Sequence, residues 1–240
     1  MILYGRNPVR EALRAGRRRV HEVWATTAAA REPWLRDVAV HVADAGEVAA
    51  IAGSDAHQGL CARVDPYPYA DAAALLAGGG ERGPLVVALD EVQDPQNVGA
   101  ICRTAECAGA GGVVIPERRA PGVTAAVAKA SAGAVEHLPV ARVRNLADFL
   151  VEAKQAGCWC YGAAAADGAI PWDRPDWRGG VVLVLGGEGK GLRPRVAGAC
   201  DALVALPLHG QVASLNVSAA AAALLYGILH VRGDGLTTAP

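Results

Sequence analysis

Leu206-Pro-Leu-His-Gly-Gln-Val-Ala-Ser-Leu-Asn-Val-Ser218 runs without a break into Ala219-Ala-Ala-Ala-Ala-Leu-Leu-Tyr226. A short apolar strand ends at Leu206, a polar loop with one glycine follows, and then a strong helix former begins. Ser214, Asn216 and Ser218 alternate across that junction. Such side chains cap free helix N–H groups, so the stretch alone reads as a helix start. Two other stretches share its character: Asp90–Arg103 and Leu183–Leu192 each place a polar, glycine-bearing loop after an apolar strand. Three such loops are the pattern of a ligand site at the strand ends of an open α/β sheet.

Outward from these loops, residues 84–240 alternate strand and helix. Strands are expected over 85–89, 112–115, 135–140, 158–163, 181–185 and 202–206. Helices are expected over 97–110, 124–131, 146–156, 192–199 and 214–231. Continuous β-branched and aliphatic runs between helices indicate a parallel sheet covered on both faces.

Residues 1–75 read as a separate small α/β unit that ends in Pro66-Tyr-Pro-Tyr69. Asn7 is placed as an N-cap with Pro8 at the first helical position and Gly16 as the stop. Strands follow at 20–25 and 40–43, helices at 33–39 and 45–51, and a last strand with a polar entry at 57–64. Beyond a short helix over 71–77, Gly78-Gly-Gly-Glu-Arg-Gly83 has a linker's composition. The division is therefore 1–75, a linker at 76–83, and 84–240.

The 240 residues are 52% hydrophobic but only 5% aromatic, so Ala, Val and Leu must build the core. No apolar run reaches the roughly 20 residues of a membrane span, and the N-terminus lacks the pattern of a signal peptide. A cytoplasmic protein is expected. The six cysteines show no zinc-ligand spacing and read as small buried hydrophobes. No metal is expected. The net charge of −1 hides eight Arg against three Glu within residues 1–36. Arg10, Arg14 and Arg17 fall on one helical face, and this basic segment suggests a polyanionic partner.

Nucleotide-loop readings fail. Gly186-Gly-Glu-Gly-Lys-Gly191 lacks the Ser or Thr that must follow the lysine of a phosphate loop. Gly187-x-Gly189 and Gly109-x-Gly111 lack the third glycine of a dinucleotide fingerprint, having Leu192 and Val114 there.

In order and spacing, Asp90–Arg103 with Asp94-Pro-Gln-Asn97-Val-Gly99 and Arg103, then Gly186-Gly-Glu188-Gly-Lys-Gly191-Leu192, then Leu206–Ser218 resemble the three signature motifs of the SpoU-type RNA ribose 2′-O-methyltransferases of the α/β-knot superfamily. Lys129-Ala-Ser-Ala-Gly-Ala-Val-Glu136 fits the same family. Tyr4-Gly-Arg-Asn-Pro-Val-Arg-Glu-Ala-Leu13 and His57-Gln-Gly59 are similar to the substrate-binding domain of one branch, the 23S ribosomal RNA guanosine-2′-O-methyltransferases of the RlmB type.

The resemblance implies a parallel sheet flanked by helices with a C-terminal deep trefoil knot, a rare exception to ordinary chain topology. It implies S-adenosylmethionine as cofactor, held by Leu185, Gly186, Gly187, Leu206, Leu208, Ser214, Leu215 and Val217. It further implies Arg103 at the 2′-OH, with Asn97, Glu188, Ser214 and Asn216 around it, and a homodimer through the catalytic domain. Guanidinium stays protonated, so Arg103 is read as a clamp on ribose and phosphate rather than as a base, with Glu188 steadying it. Arg6, Arg10, Arg14 and His57 are the RNA-binding candidates of the small unit, although Asn7 and His57 read first as structural. The implied substrate is a guanosine of 23S ribosomal RNA. Another RNA (a transfer RNA or a resistance site in ribosomal RNA) and a catalytically silent RNA-binding assembly factor stay open.

Overall fold

In the computed structural model of the chain, which describes residues 1–233, the strands fall into two sheets. The elements are β1 (Ile2–Tyr4), α1 (Arg6–Ala15), β2 (Val20–Ala25), β3 (Val40–Val42), α2 (Ala45–Ala52), β4 (Leu60–Val64) and α3 (Ala72–Leu76). They continue with β5 (Leu85–Asp90), α4 (Pro95–Cys107), β6 (Gly112–Pro116), α5 (Ala125–Ala130), β7 (Val140–Val143) and α6 (Leu146–Gln155). The last are β8 (Trp159–Ala163), β9 (Ile170–Pro171), β10 (Val181–Gly186), α7 (Pro194–Ala197), β11 (Ala202–Ala205) and α8 (Val217–Val231).

The small sheet has the order β1-β4-β2-β3, with β4 antiparallel to both neighbours. The large one has the order β7-β6-β5-β10-β8-β11-β9, and every pair in it is parallel. From β5 the chain steps outward through β6 and β7, then crosses to the other side. The sheet therefore has a switch point between β5 and β10, where the crossovers diverge and leave a crevice beyond the strand ends.

Strand periodicity sorts the core. On β5, Leu85, Val87 and Leu89 face one apolar cluster while Val86 and Ala88 face the other; on β10, Val181, Leu183 and Leu185 alternate likewise with Val182 and Val184. One face is covered by α4, α5 and α8 and the other by α3 and α6, as a buried parallel sheet requires. The first cluster continues into the small unit through Leu3, Val9 and Leu60, so the two sheets share a core. Within segment 76–83, residues 77–82 are exposed, and only its end is pressed against the large sheet, where a Cβ on Gly83 would lie 2.4 Å from the Gly180 nitrogen.

Several expected boundaries move. Asn7 is not a cap. Helix α1 starts two residues earlier, Gly5 turns the chain at φ 95°, and the freed Arg6 N–H donates to the Gln58 side chain at 3.2 Å. The long-range partner replaces the local one. Gly16 then ends α1 in the left-handed region, so Arg17 leaves the helix face and donates to the Leu138 carbonyl at 3.2 Å. Residues 33–39 form a single 3-10 turn, 33–35, instead of a helix. The strand expected over 135–140 is a 3-10 turn at 134–136 followed by β7 at 140–143. Glu136 there is buried and accepts from Arg18. Helix α8 begins at Val217 rather than 214, and α7 shrinks to four residues. Strand β9 was not expected. Cys61, Cys102, Cys158 and Cys160 are buried as anticipated, but Cys107 is exposed at the end of α4 and Cys200 is only half-buried.

Two positions test this packing. Gly99 lets α4 lie on α5: a Cβ there would sit 2.4 Å from Ala130 Cβ and 2.9 Å from the Val127 carbonyl oxygen. Gly99→Ala gains about 1 kcal/mol of helix propensity but overpacks against backbone at about 1–3 kcal/mol, so urea melts should show a net loss; a more stable variant would contradict the packing.

The second test is acid. Burial pushes the Glu11 carboxyl up, but hydrogen bonds from His137 and Arg10 and the charges of Arg10 and Arg14 outweigh it and hold the group below its ordinary value. A depressed carboxyl stabilises fully above the unfolded value and loses that stabilisation as pH falls through the folded one. Stability of the wild type should therefore fall on acidification below about pH 4.5 more steeply than that of Glu11→Gln; parallel curves would refute the role of Glu11.

Candidate active site at the switch point

The three polar loops meet at one side chain. Asp94 caps α4 by accepting from the Gln96 N–H at 3.0 Å, Pro95 occupies the first helical position, and Asn97 follows in the first turn, only 7% exposed. Asn97 Nδ2 donates to Asp94 Oδ2 at 3.3 Å and to Glu188 Oε1, while its Oδ1 accepts from Asn216 Nδ2 at 3.1 Å. This orientation of the amide satisfies all three neighbours, since its donors face carboxylates and its acceptor faces a donor. Asn216 is itself the N-cap of α8, accepting from Ser218 N at 2.8 Å. One amide therefore joins the loops after β5, β10 and β11. The N-termini of α4 and α8, the positive ends of their dipoles, converge beside Glu188.

The glycines of the second loop permit the approach. A Cβ on Gly187 would lie 2.4 Å from the Glu91 carbonyl oxygen, and one on Gly186 would lie 2.3 Å from the Gly191 carbonyl carbon. Ion pairs lace the same loops. Asp90, wholly buried at the end of β5, accepts from Arg193 N at 2.8 Å and from Arg193 Nε at 2.7 Å. Glu91, with φ 58°, pairs with Arg119, φ 66°, at 2.7 Å. Two non-glycine residues in the left-handed region persist only where surroundings hold them. The hydrogen bond from Arg119 holds the Glu91 carboxyl below the usual range, and the charges of Arg193 and Lys190 add to it. Between the loops lies a cleft of about 520 Å³, bounded by Glu91–Asp94 on one side and by Gly187, Glu188 and Lys190–Pro194 on the other.

The other expected residues distribute as follows. Leu185 and Val217 are core side chains, 1% and 7% exposed, so only their backbone could face a ligand. Gly187 lines the cleft. Gly186 and Leu206 are half-buried, whereas Leu208, Ser214 and Leu215 are exposed in a loop whose residues 207–216 all face outward. Arg103 is exposed on α4, about 9 Å along the axis from Asn97 by helical rise. Glu188 binds Asn97 and not Arg103, because the amide lies directly across the crevice. The cap of α4 is Asp94, which leaves the Asn97 side chain free for the loops.

In the small unit, Arg6 pairs with Glu32 at 2.8 Å, and Arg10 and Arg14 both pair with Glu11 at 2.8 and 3.3 Å, with their side chains 41–68% exposed. His57 is buried and its Nδ1 accepts from Gly59 N at 3.0 Å, a turn-closing role.

Asp90 and Arg193 escaped the sequence reading. The available signal was an acidic residue ending a wholly apolar strand, since a buried charge demands a partner. Among the described residues no group of His, Cys, Asp and Glu is arranged to hold a metal.

The profile of the SpoU rRNA Methylase family matches residues 84–226, and that of RNA 2′-O ribose methyltransferase substrate binding matches residues 2–70. A Bacillus subtilis protein assigned to the TrmH family of tRNA/rRNA methyltransferases is 45% identical over 186 residues, covering 73% of this chain and 71% of its own. A Synechocystis tRNA/rRNA methyltransferase is 38% identical across 97% of this chain, which spans 63% of that relative's length. Among solved structures, the AdoMet complex of the SpoU methyltransferase AviRb from Streptomyces viridochromogenes superposes with a TM-score of 0.83 at 24% identity, over 98% of this chain and 91% of its own. The AdoMet-bound rRNA methyltransferase of Sinorhizobium meliloti gives 0.79 at 26% identity, over 95% and 86%.

Asn97→Ala leaves the Asp94 and Glu188 carboxylates without their shared donor and should cost about 1–3 kcal/mol. Asn97→Asp sets a third carboxylate against the other two and should cost more at pH 7. Urea denaturation ranks them; equal stability of all three proteins would contradict the central place of this amide.

Proposed function

The chain belongs to the SpoU rRNA methylase family, and from that membership we propose that it transfers a methyl group from S-adenosylmethionine to a ribose 2′-OH of RNA. The observation that carries the reading is the joining of three strand-end loops on Asn97 beside a cleft at the switch point. The residues present fit such a donor. Gly187 lines the cleft, and Leu208, Val212 and Leu215 present exposed apolar surface on the third loop, as an adenine-binding wall needs. When bound, the donor supplies an electrophilic methyl group.

What the chain contributes is orientation and charge. Asn97 and Glu188 fix the crevice, and Asn216 ties the third loop to it. Arg103, a permanently charged bidentate donor, clamps the target ribose and its phosphate. Leu185, Leu206, Ser214 and Val217 belong to the donor-binding loops. Arg6, Arg10 and Arg14 supply the basic face that docks the RNA, which the substrate-binding match over residues 2–70 supports.

The finer identity we infer is methylation of a guanosine in 23S ribosomal RNA, supported by the sequence of the small unit. The relatives' names include tRNA as well as rRNA, so transfer RNA is the second substrate to try. The reading includes the trefoil knot of the family, the division at 76–83, and work in the cytoplasm on RNA. It also includes a homodimer through the catalytic sheet, whose contact the exposed row Ala219, Ala223, Tyr226 and His230 on α8 would suit.

The test is incubation with methyl-labelled S-adenosylmethionine and separated rRNA and tRNA fractions, followed by alkaline hydrolysis. Label in an alkali-resistant dinucleotide from rRNA is expected; label in tRNA alone would move the substrate, and no label in either would refute the function. Arg103→Lys should lower kcat at least about tenfold, the loss of one bidentate interaction. Arg10→Ala/Arg14→Ala should raise KM for RNA and lessen its dependence on salt. A near-normal rate for Arg103→Lys would remove Arg103 from the site.

A further inference from the structure

The seam between the two sheets is closed by charged groups that neither sheet needs for its own strands. Arg18 follows α1, Glu136 lies in the 3-10 turn before β7, and each side chain is only 1% exposed. Arg18 Nε donates to Glu136 Oε2 at 2.9 Å, Nη2 donates to Oε1, and Nη1 donates to the Asp65 carbonyl at 3.1 Å. Apolar residues of the same volume usually stabilise as well as a buried ion pair; the best-attested use of such a pair is to select one arrangement over others. Tyr67 supports it by donating its hydroxyl to the Leu138 carbonyl at 2.8 Å, with the Val135 carbonyl at 3.1 Å, and the guanidiniums of Arg17 and Arg18 each lie 5.7 Å from its ring.

The Arg18–Glu136 pair and the Tyr67 hydroxyl both bind within residues 135–138. The same short segment reaches both functional faces. His137 bonds Glu11 at 2.9 Å, and Glu11 holds Arg10 and Arg14. On its other side, the 134–136 turn packs on α4, the helix that bears Asn97 and Arg103.

We propose that Arg18 and Glu136 are positioning residues: their buried pair sets the basic face of α1 at one fixed orientation to the crevice, so that RNA is gripped and presented by a single rigid body. The inference rests on the reading of the chain as an RNA methyltransferase.

The double variant Arg18→Met/Glu136→Leu replaces the pair by apolar groups of similar size. Its melting and its affinity for S-adenosylmethionine should match wild type, while KM for RNA rises about tenfold as preorganisation is lost. With kcat the less affected constant, the split separates positioning from chemistry. Spin labels on Cys107 and on an Arg36→Cys substitution, one on each unit, should show a narrow distance distribution in the parent and a broad one in the double variant. An unchanged KM or an unchanged distribution overturns the proposal. Should the double variant not fold, Tyr67→Phe removes the hydroxyl that spans the same seam and should move both readouts the same way by about threefold; no movement overturns the proposal equally. If Arg10→Ala/Arg14→Ala weakens RNA binding while the seam variants do not, this inference alone fails. Absence of RNA binding by the wild type would fail the underlying reading as well.

Discussion

One buried amide holds the candidate site together. Asn97 gives its donors to Asp94 and Glu188 and its acceptor to Asn216, so loops separated by more than a hundred residues share a single hydrogen-bonding centre. Such a centre cannot be relaxed at one loop without leaving a partner unsatisfied at another, which makes it costly to disturb. Two of its partners are also helix caps, Asp94 for α4 and Asn216 for α8. The start of each helix, and hence the aim of its dipole, is thereby tied to the position of the loops.

The surrounding constraints point the same way. Strand β5 ends in a wholly buried carboxylate that Arg193, across the switch point, answers. Gly187 yields room for the Glu91 backbone, and Glu91 in turn is held in a left-handed conformation by Arg119. A sheet whose strands are apolar on both faces supplies a rigid floor, and the polar groups are confined to its rim. Binding and chemistry are then a property of the rim, with the sheet fixing distances.

Much of this was legible in the residues. The alternation of Leu85–Leu89 and Val181–Leu185 with helical stretches gave the parallel sheet, and the three polar loops lay where the strands ended. What escaped was non-local. Asn7 looked like a cap because the sequence does not show Gln58 reaching Arg6. Residues 135–140 looked like a strand because their apolar content does not reveal that Glu136 is buried and accepts from Arg18. Asp90 and Arg193 looked unrelated until parallel pairing brought β5 and β10 side by side. Arg103 and Ser214 had their roles from family resemblance, and the hydrogen bonds of the Asn97 centre do not include them.

The seam extends the same logic from the site to the whole chain, because residues 135–138 connect the basic face of α1 to the helix that carries Asn97. The central claim is that the loops after β5, β10 and β11 form one donor-binding unit. Backbone hydrogen exchange, followed by mass spectrometry with and without saturating S-adenosylmethionine, tests it directly. The account predicts concerted protection of residues 90–97, 186–192 and 206–218 when the donor is added. Protection confined to one of these stretches, or appearing elsewhere on the sheet, would contradict it.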